Sequence, residues 1–371
     1  MDGAEPVSTA FYRSVIRSGK RWSYDRIDEV FAGRATAEEP WGEPLAAARA
    51  VAGALQAKRE QRHALVVEST EPQFEFDDAG NVVAVHREKQ TESHRVIEHL
   101  MILANERVAD YLAERKQPTL YRVHERPDPL SVAWLVERLG TLDVPTPPLP
   151  EHLTPQQAGD VVGEASRLVN DHVRRTGHGA RALPSMVLRS LKQAYYSPRN
   201  VGHAGLASPR YCHFTSPIRR YPDLVAHRAL LHALGLDDAP PPKPSELDDA
   251  GEDSSAAERE AMLIERDADD ICLAFLLEQR LFDDGWEQRF EGEVVSLISS
   301  GAFVSFGAEG FQGFLPLRKM RGDWWELNEH ETKLVGAESG RTIRLGDPIH
   351  VEVGRVDTLR GRVDLVPAPS S

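Results

Sequence analysis

The residues best suited to chemistry lie between Gly202 and Leu224. From Arg199 to Arg228 the chain carries five arginines against a single acid, Asp223, within a protein of formal charge −14. A local excess of guanidinium groups in an acidic chain marks a place where an anion is held. The overall balance, in turn, argues against coating DNA or an anionic membrane by bulk charge. Ser216 followed by Pro217 has the pattern of a helix N-cap and first helical position, so free backbone N–H groups there are expected to face the same anion as Arg219 and Arg220. Tyr211, His213 and Phe214 add planar rings able to stack on bases. On these residues alone, a capped surface helix with scattered arginines stands as an equal reading.

Other chemistries find less support. The only two cysteines, Cys212 and Cys272, exclude a disulfide framework, a cysteine-based zinc site and an iron–sulfur cluster. Two acid runs invite a metal reading, but Asp77-Asp78-Ala79-Gly80 reads as a hairpin turn. Asp267-Ala268-Asp269-Asp270 falls within a helical pattern, where successive carboxylates point apart, and reads as a solvated face. No metal ligands are assigned.

The elements that must position these groups come in two styles. Up to about Asp284 the pattern is α+β. A hairpin is expected around Asp78 to Asn81, with strands at Ala64 to Glu68, Phe74 to Phe76 and Val82 to His86. A helix is expected from Ser93 to Arg115, with Ile97, Met101, Ala104, Val108 and Tyr111 buried and His94, Glu98 and Asn105 along the edge of that stripe. Thr141 to Pro155 is a proline-rich connector. Leu236 to Ser255, with seven acids against Lys243, reads as a flexible surface insertion. A long helix from Ser255 to Phe282 is expected to bury Ala261, Ile264, Ala268, Ile271 and Phe275. After Trp286 five short strands (Arg289 to Ile298, Ala302 to Phe306, Gly310 to Leu315, Pro348 to Val356, Arg362 to Val366) fit a five-stranded OB-fold barrel. One of Phe303 and Phe306 should face outward there, while Trp324 and Trp325 stand as either a cap or a ligand contact. The domains are thus expected at residues 1–284, with the acidic insertion at 236–255, and 285–371. No apolar run is long enough to span a bilayer and no signal peptide is visible, so the cytoplasm is the expected compartment.

The string GHAGLASPRYCHFTSPIRRYPDLVAHR (residues 202–228) resembles the signature of the RNase II and RNase R (RNB) family of 3′-to-5′ exoribonucleases. The resemblance extends to SHRVIEHLMILANERVADYL, LYRVHERPD, SVIRSGKRWSYDRID and ERDADDICLAFL, and to a C-terminal barrel similar to the ribosomal S1-type RNA-binding domain. It implies an enzyme that threads single-stranded RNA into a channel and hydrolyses it to nucleoside 5′-monophosphates with Mg²⁺. Residue by residue it implies that Arg219 contacts the phosphate during catalysis, and that Glu98, with Tyr24, reads the 2′-hydroxyl in choosing RNA over DNA. It also implies that Glu265 lies near the mouth of the site. With the ring and cap residues above, the expected RNA contacts are Tyr24, Glu98, Tyr211, His213, Ser216, Arg220, Glu265 and Phe303.

One feature of the family's pattern is missing. The aspartate cluster of the form D-P-x-x-x-x-D-x-D-D-A that holds its metal ions does not occur here, nor do its N-terminal cold-shock-type barrels, so the chain looks like a C-terminal portion. Two expectations follow: an exoribonuclease of this family, or a truncated or catalytically incomplete protein that binds RNA without cutting it.

Overall fold

The computed structural model describes residues 5–62, 64–65, 70–236, 241–320 and 322–369. Along the chain come α1 (Tyr24–Phe31), α2 (Gly42–Gln61), β1 (Thr70–Phe76), β2 (Val82–Lys89), α3 (Glu92–Glu114) and β3 (Tyr121–Val123). Then follow α4 (Pro129–Thr141), α5 (Pro155–Thr176), α6 (Ala182–Arg189), β4 (Tyr195–Ser197), α7 (Tyr221–Ala233) and α8 (Pro244–Asp284). The remainder is all β: β5 (Phe290–Ile298), β6 (Gly301–Phe306), β7 (Phe311–Pro316), β8 (Trp325–Leu327), β9 (Lys333–Gly336), β10 (Thr342–Arg344), β11 (Pro348–Asp357) and β12 (Arg362–Pro367). These elements gather into two compact units, each discontinuous in sequence.

The first unit takes Met1–Glu68, Lys89–Arg126 and Lys192–Glu258. Its core joins Val108, Ala109 and Leu112 of α3 to Val123 of β3, to Cys212 and to Ala226, Ala229 and Leu230 of α7. The α3 helix starts at a capping box between Thr91 and His94. Its buried face differs from the expected stripe: Ser93, Val96, His99, Ile102, Asn105, Val108, Ala109 and Leu112 point inward, while Ile97 and Met101 are exposed. The physical reason is that three inward positions are polar and partnered. Ser93 Oγ donates to Asp28 (2.8 Å), His99 Nδ1 lies 3.1 Å from Arg59 Nη1, and Asn105 Nδ2 donates to the Tyr211 hydroxyl (2.9 Å). A count of apolar residues misplaces a face whose polar members each find a partner inside.

The segment expected as a flexible insertion is a second correction. Residues 237–240 lie outside those described, but from Pro244 onward the chain is helical and packed. Leu247 is buried against Leu120 and Val225. Gly251 approaches the second β3–β4 strand so closely that a Cβ would stand 2.8 Å from the Tyr196 carbonyl oxygen, and Ser255 Oγ accepts the Tyr196 N–H (2.9 Å). The acids Glu246, Asp248, Asp249, Glu252 and Asp253 are all exposed. Acid content here marks the wet side of a helix, not disorder.

The second unit takes Ser69–Glu88, Pro127–Leu191 and Arg259–Ser371. Strands β1 and β2 pair, and Asp77 holds the turn by accepting the N–H groups of Ala79 (2.9 Å) and Asn81 (2.8 Å); the part of the expected hairpin at 66–69 lies outside the described residues. The five expected C-terminal strands form a closed barrel in the order β11–β12–β7–β6–β5. All its pairings are antiparallel except β12 with β7, which closes it. Phe306, Phe311, Val294 and Leu315 fill its core together with Leu277 and Leu281 of α8. That is again a shift from the expected α8 stripe, since Ile264 and Ile271 are exposed. A three-stranded sheet, β10–β9–β8, is inserted between β7 and β11. Among the described residues no helix is long and apolar enough to cross a membrane.

Candidate nucleic-acid interface

The loop from Tyr211 to Arg220 is held from behind at several polar atoms. Asn105 Oδ1 accepts the Phe214 N–H (3.0 Å), and the Cys212 thiol reaches the Asn105 carbonyl (3.6 Å). His227 Nε2 lies 2.9 Å from the Phe214 carbonyl oxygen and its ring stacks on Phe214 at 4.0 Å. Asp223, wholly buried in the first turn of α7, accepts the Ser216 N–H (2.8 Å) and forms an ion pair with Arg220 at 2.7 Å. The Ser216 carbonyl closes a turn by accepting the N–H groups of Arg219 (3.3 Å) and Arg220 (3.1 Å). At the tip, Ile218 and Arg219 are exposed, and the Arg219 guanidinium makes no hydrogen bond or ion pair among the described residues. One guanidinium is therefore left to meet an external anion on a scaffold that cannot easily move.

Several expected contacts change role. Ser216 is not an N-cap: α7 begins at Tyr221 with Arg220 in the cap position, and the Ser216 N–H is already used by Asp223. Arg220 is neutralised by the same carboxylate. Tyr211 is buried, so its ring is a packing element and not a platform for a base. His213 is half-buried, with Nδ1 2.8 Å from the Tyr196 hydroxyl. Burial, reinforced by Arg220 and Arg122, pushes its pKa down to about 2. Burial with His124 and Arg122 nearby takes His203 to about 3, and burial takes Tyr196 up to about 12. These rings stay neutral at ordinary pH and cannot serve as general acids or bases there; Arg122, paired with Glu258 at 2.5 Å, completes the network behind the loop.

The same unit carries the two other expected contacts on one helix edge. Tyr24, the first residue of α1, is partly exposed and stacks on His94 at 3.7 Å. Glu98, one turn further along α3, accepts from Gln90 (2.8 Å) and lies 3.5 Å from Arg59. Each carboxylate oxygen retains a lone pair for a hydroxyl donor. Glu98 and Asn105 are seven residues apart, so they share a face about 10 Å apart along the axis. Through Asn105, α3 links the Tyr24–Glu98 end to the Arg219 loop. Sequence reading missed Asp223, Asn105 and His227 as the groups that set this loop. The visible signal was Asp223 three residues after Arg220, the i,i+3 spacing of an ion pair.

Glu265 and Phe303 belong to the other unit. Glu265 is exposed on α8, and Asp269 and Asp270 beyond it are only partly solvated, with carboxyl pKa values raised by burial first. Phe303 is the outward member of its pair, its ring tilted against Phe314 at 5.1 Å, while Phe306 is in the core. Trp324 is exposed and Trp325 packs toward the barrel core beneath Arg341. Among the described residues no three His, Cys, Asp or Glu side chains are grouped so as to hold a metal ion. The donor set of these residues thus does not fit the Mg²⁺ the resemblance implies.

Comparison with known proteins bears on both units. A family profile described as RNB domain matches residues 2–235, and one described as S1 RNA binding domain matches residues 284–366. The chain is similar to Ribonuclease R of Aquifex aeolicus (32% identical over 357 residues, 95% of this chain and 48% of the relative). It is similar also to Ribonuclease R of Escherichia coli (30% over 368 residues, 95% of this chain and 43% of the relative). The chain spans about half the length of these curated relatives. Among solved structures, Mycoplasma genitalium RNase R in complex with ribose methylated single-stranded RNA matches 94% of this chain and 53% of its own, with TM-score 0.80 and 24% identity. Yeast Ssd1, a pseudonuclease, matches 84% of this chain and 37% of its own, with TM-score 0.53 and 15% identity. At those identities the likeness is one of fold.

Proposed function

The chain belongs to the RNB family, and from that premise we propose that it binds single-stranded RNA, in preference to DNA, for hydrolytic 3′-to-5′ release of nucleoside 5′-monophosphates. The single observation that carries this reading is Arg219: an exposed guanidinium without a carboxylate partner among the described residues, at the tip of a loop whose backbone is pinned at Phe214 and Ser216 by Asn105, Asp223 and His227. A permanently charged planar fork held in this way suits a phosphate whose charge grows during hydrolysis. Glu98 and Tyr24 supply the acceptor and the ring for a ribose carrying a 2′-hydroxyl, and Phe303 supplies a stacking surface on the barrel. Support also comes from the relatives named Ribonuclease R and from structures of M. genitalium RNase R with single-stranded and double-stranded RNA. Mg²⁺ belongs to the proposed reaction, and the cytoplasm is the proposed compartment, with no membrane partner.

The test titrates labelled RNA and matching DNA oligomers into the protein across a salt series and follows mononucleotide release in Mg²⁺ with an EDTA control. RNA is expected to bind tighter than DNA. Arg219→Gln is expected to reduce the slope of log affinity against log salt by about one, as befits one lost phosphate contact. Equal affinity for both nucleic acids with no change in slope would refute the proposal. Selective RNA binding with no mononucleotide release would reduce it to RNA binding without cleavage.

A further inference from the structure

Within the second unit, a cavity of about 210 Å³ is lined by Arg138 of α4, Arg189 of α6, residues Val295 and Ser296 of β5, and Glu331. Two guanidiniums thus border one space, with a single carboxylate on its rim. The Arg138 Nε–H donates to the His330 carbonyl (2.9 Å), and its two Nη atoms have no partner among the described residues. The Arg189 guanidinium makes no hydrogen bond or ion pair among them either. Like charges held beside one cavity, one of them half-buried, are stabilised by an anion between them and destabilised without one. Burial lowers the Arg138 pKa from its ordinary value, Glu331 opposes the shift and Arg189 adds to it.

The walls are built to hold this arrangement. His330 stacks on Trp134 (4.8 Å) and lies 3.7 Å from Glu137, and Thr332 Oγ1 lies 2.7 Å from Thr141 Oγ1. Glu331 is thereby fastened on both sides, and it takes a left-handed backbone conformation, φ 52°, which is strained for a residue with a Cβ. Opposite, Val294 pairs with Val304 and Ser296 with Phe303, so Val295 is the extra residue of a bulge. The bulge lets neighbours that would alternate on a regular strand both line the cavity. Met186, Leu297 and Leu345 make the remaining surface apolar.

We infer that this cavity is a binding site for a phosphate monoester of nucleotide type, separate from the Arg219 loop. Two guanidinium forks match the oxygens of a doubly charged phosphate, and Ser296 offers a hydroxyl. The volume equals about seven waters, enough for one phosphate with its sugar and below the range of about 300 Å³ and more typical of larger ligands. Glu331 acts as the built-in competitor that screens Arg138 when no phosphate is bound. The phosphate belongs either to a free nucleoside 5′-monophosphate or to the 5′ end of an RNA strand.

Calorimetric titration of the 371-residue chain with adenosine 5′-monophosphate, with adenosine as control, tests the assignment. Saturable binding of the nucleotide alone is expected. It should weaken at least about tenfold in Arg189→Gln, whose exposed side chain is not needed for folding, and in Arg138→Lys, and strengthen in Glu331→Gln. Inorganic phosphate should compete. A 5′-phosphorylated RNA oligomer that competes where its 5′-hydroxyl form does not identifies the strand end as the source; competition by neither identifies the free nucleotide. No binding up to about 10 mM nucleotide, or binding that survives both arginine substitutions and is lost in Arg219→Gln, would overturn the site.

Discussion

The Arg219 loop and the Phe303 face of the barrel offer themselves to solvent by opposite routes. At the loop, a dense set of buried hydrogen bonds consumes Ser216, Arg220 and the backbone of Phe214, and what remains exposed is the one charged group left over. On the barrel no such network is needed. Strand alternation puts Phe306 in the core and Phe303 outside, with a half-buried ring as the product. The first surface is electrostatic and depends on many partners at once; the second is a stacking surface that depends on little beyond its own strand. Damage should therefore spread from the loop's buried supports and stay local on the barrel.

The largest effect is expected from Asp223→Ala. It leaves Arg220 charged and half-buried with no partner and orphans the Ser216 N–H, a loss of about 3–5 kcal/mol, read by denaturant unfolding. A loss below about 1 kcal/mol would show that the loop is not held by this carboxylate.

Acid comes next. An imidazole whose pKa is lower in the folded than in the unfolded chain takes up its proton only on unfolding. Stability supported by neutral His213 and His203 is therefore intact above the ordinary value of 6.5 and falls as pH drops, down to about 2 and about 3 respectively. Each should contribute a slope of about 1.4 kcal/mol per pH unit over that window. Unfolding measured between pH 6 and pH 4.5 should lose about one such slope in His213→Gln; an unchanged slope would contradict the burial of that ring.

Phe303→Ala should cost about 1–3 kcal/mol of RNA affinity for each base that stacks there, with the salt slope unaltered. That separates it from Arg219→Gln, whose signature is the slope. If the two variants prove alike, the contrast between the surfaces fails. Smallest is Glu98→Ala, expected to narrow the RNA-to-DNA affinity ratio about threefold to tenfold, the worth of one hydrogen bond. Matched oligomers that keep their ratio would remove Glu98 from sugar reading.

What was legible in the sequence followed local rules. The five barrel strands, the Asp77 turn, the outward facing of one of Phe303 and Phe306, and the resemblance of residues 202–228 could all be read from alternation, turn chemistry or a contiguous string. The buried face of α3 could not, because Ser93, His99 and Asn105 go inward only if Asp28, Arg59 and Tyr211 come to meet them. Nor could the fate of residues 244–255, whose acids look like those of a solvated linker until Leu247, Gly251 and Ser255 find Leu120 and Tyr196.

The sequence by itself thus determined the family, the two styles of architecture and the concentration of positive charge near Arg219, since each is written in consecutive residues or in a short repeat. Only the tertiary structure decided which of two adjacent arginines is available. Arg219 and Arg220 are chemically identical, and what separates them is the direction each takes from a turn closed by Ser216 beside the buried Asp223. A charge is free or spent according to what the fold places within about 4 Å of it, where Coulomb attraction and lost hydration are both large, and that distance is not a property of any stretch of sequence.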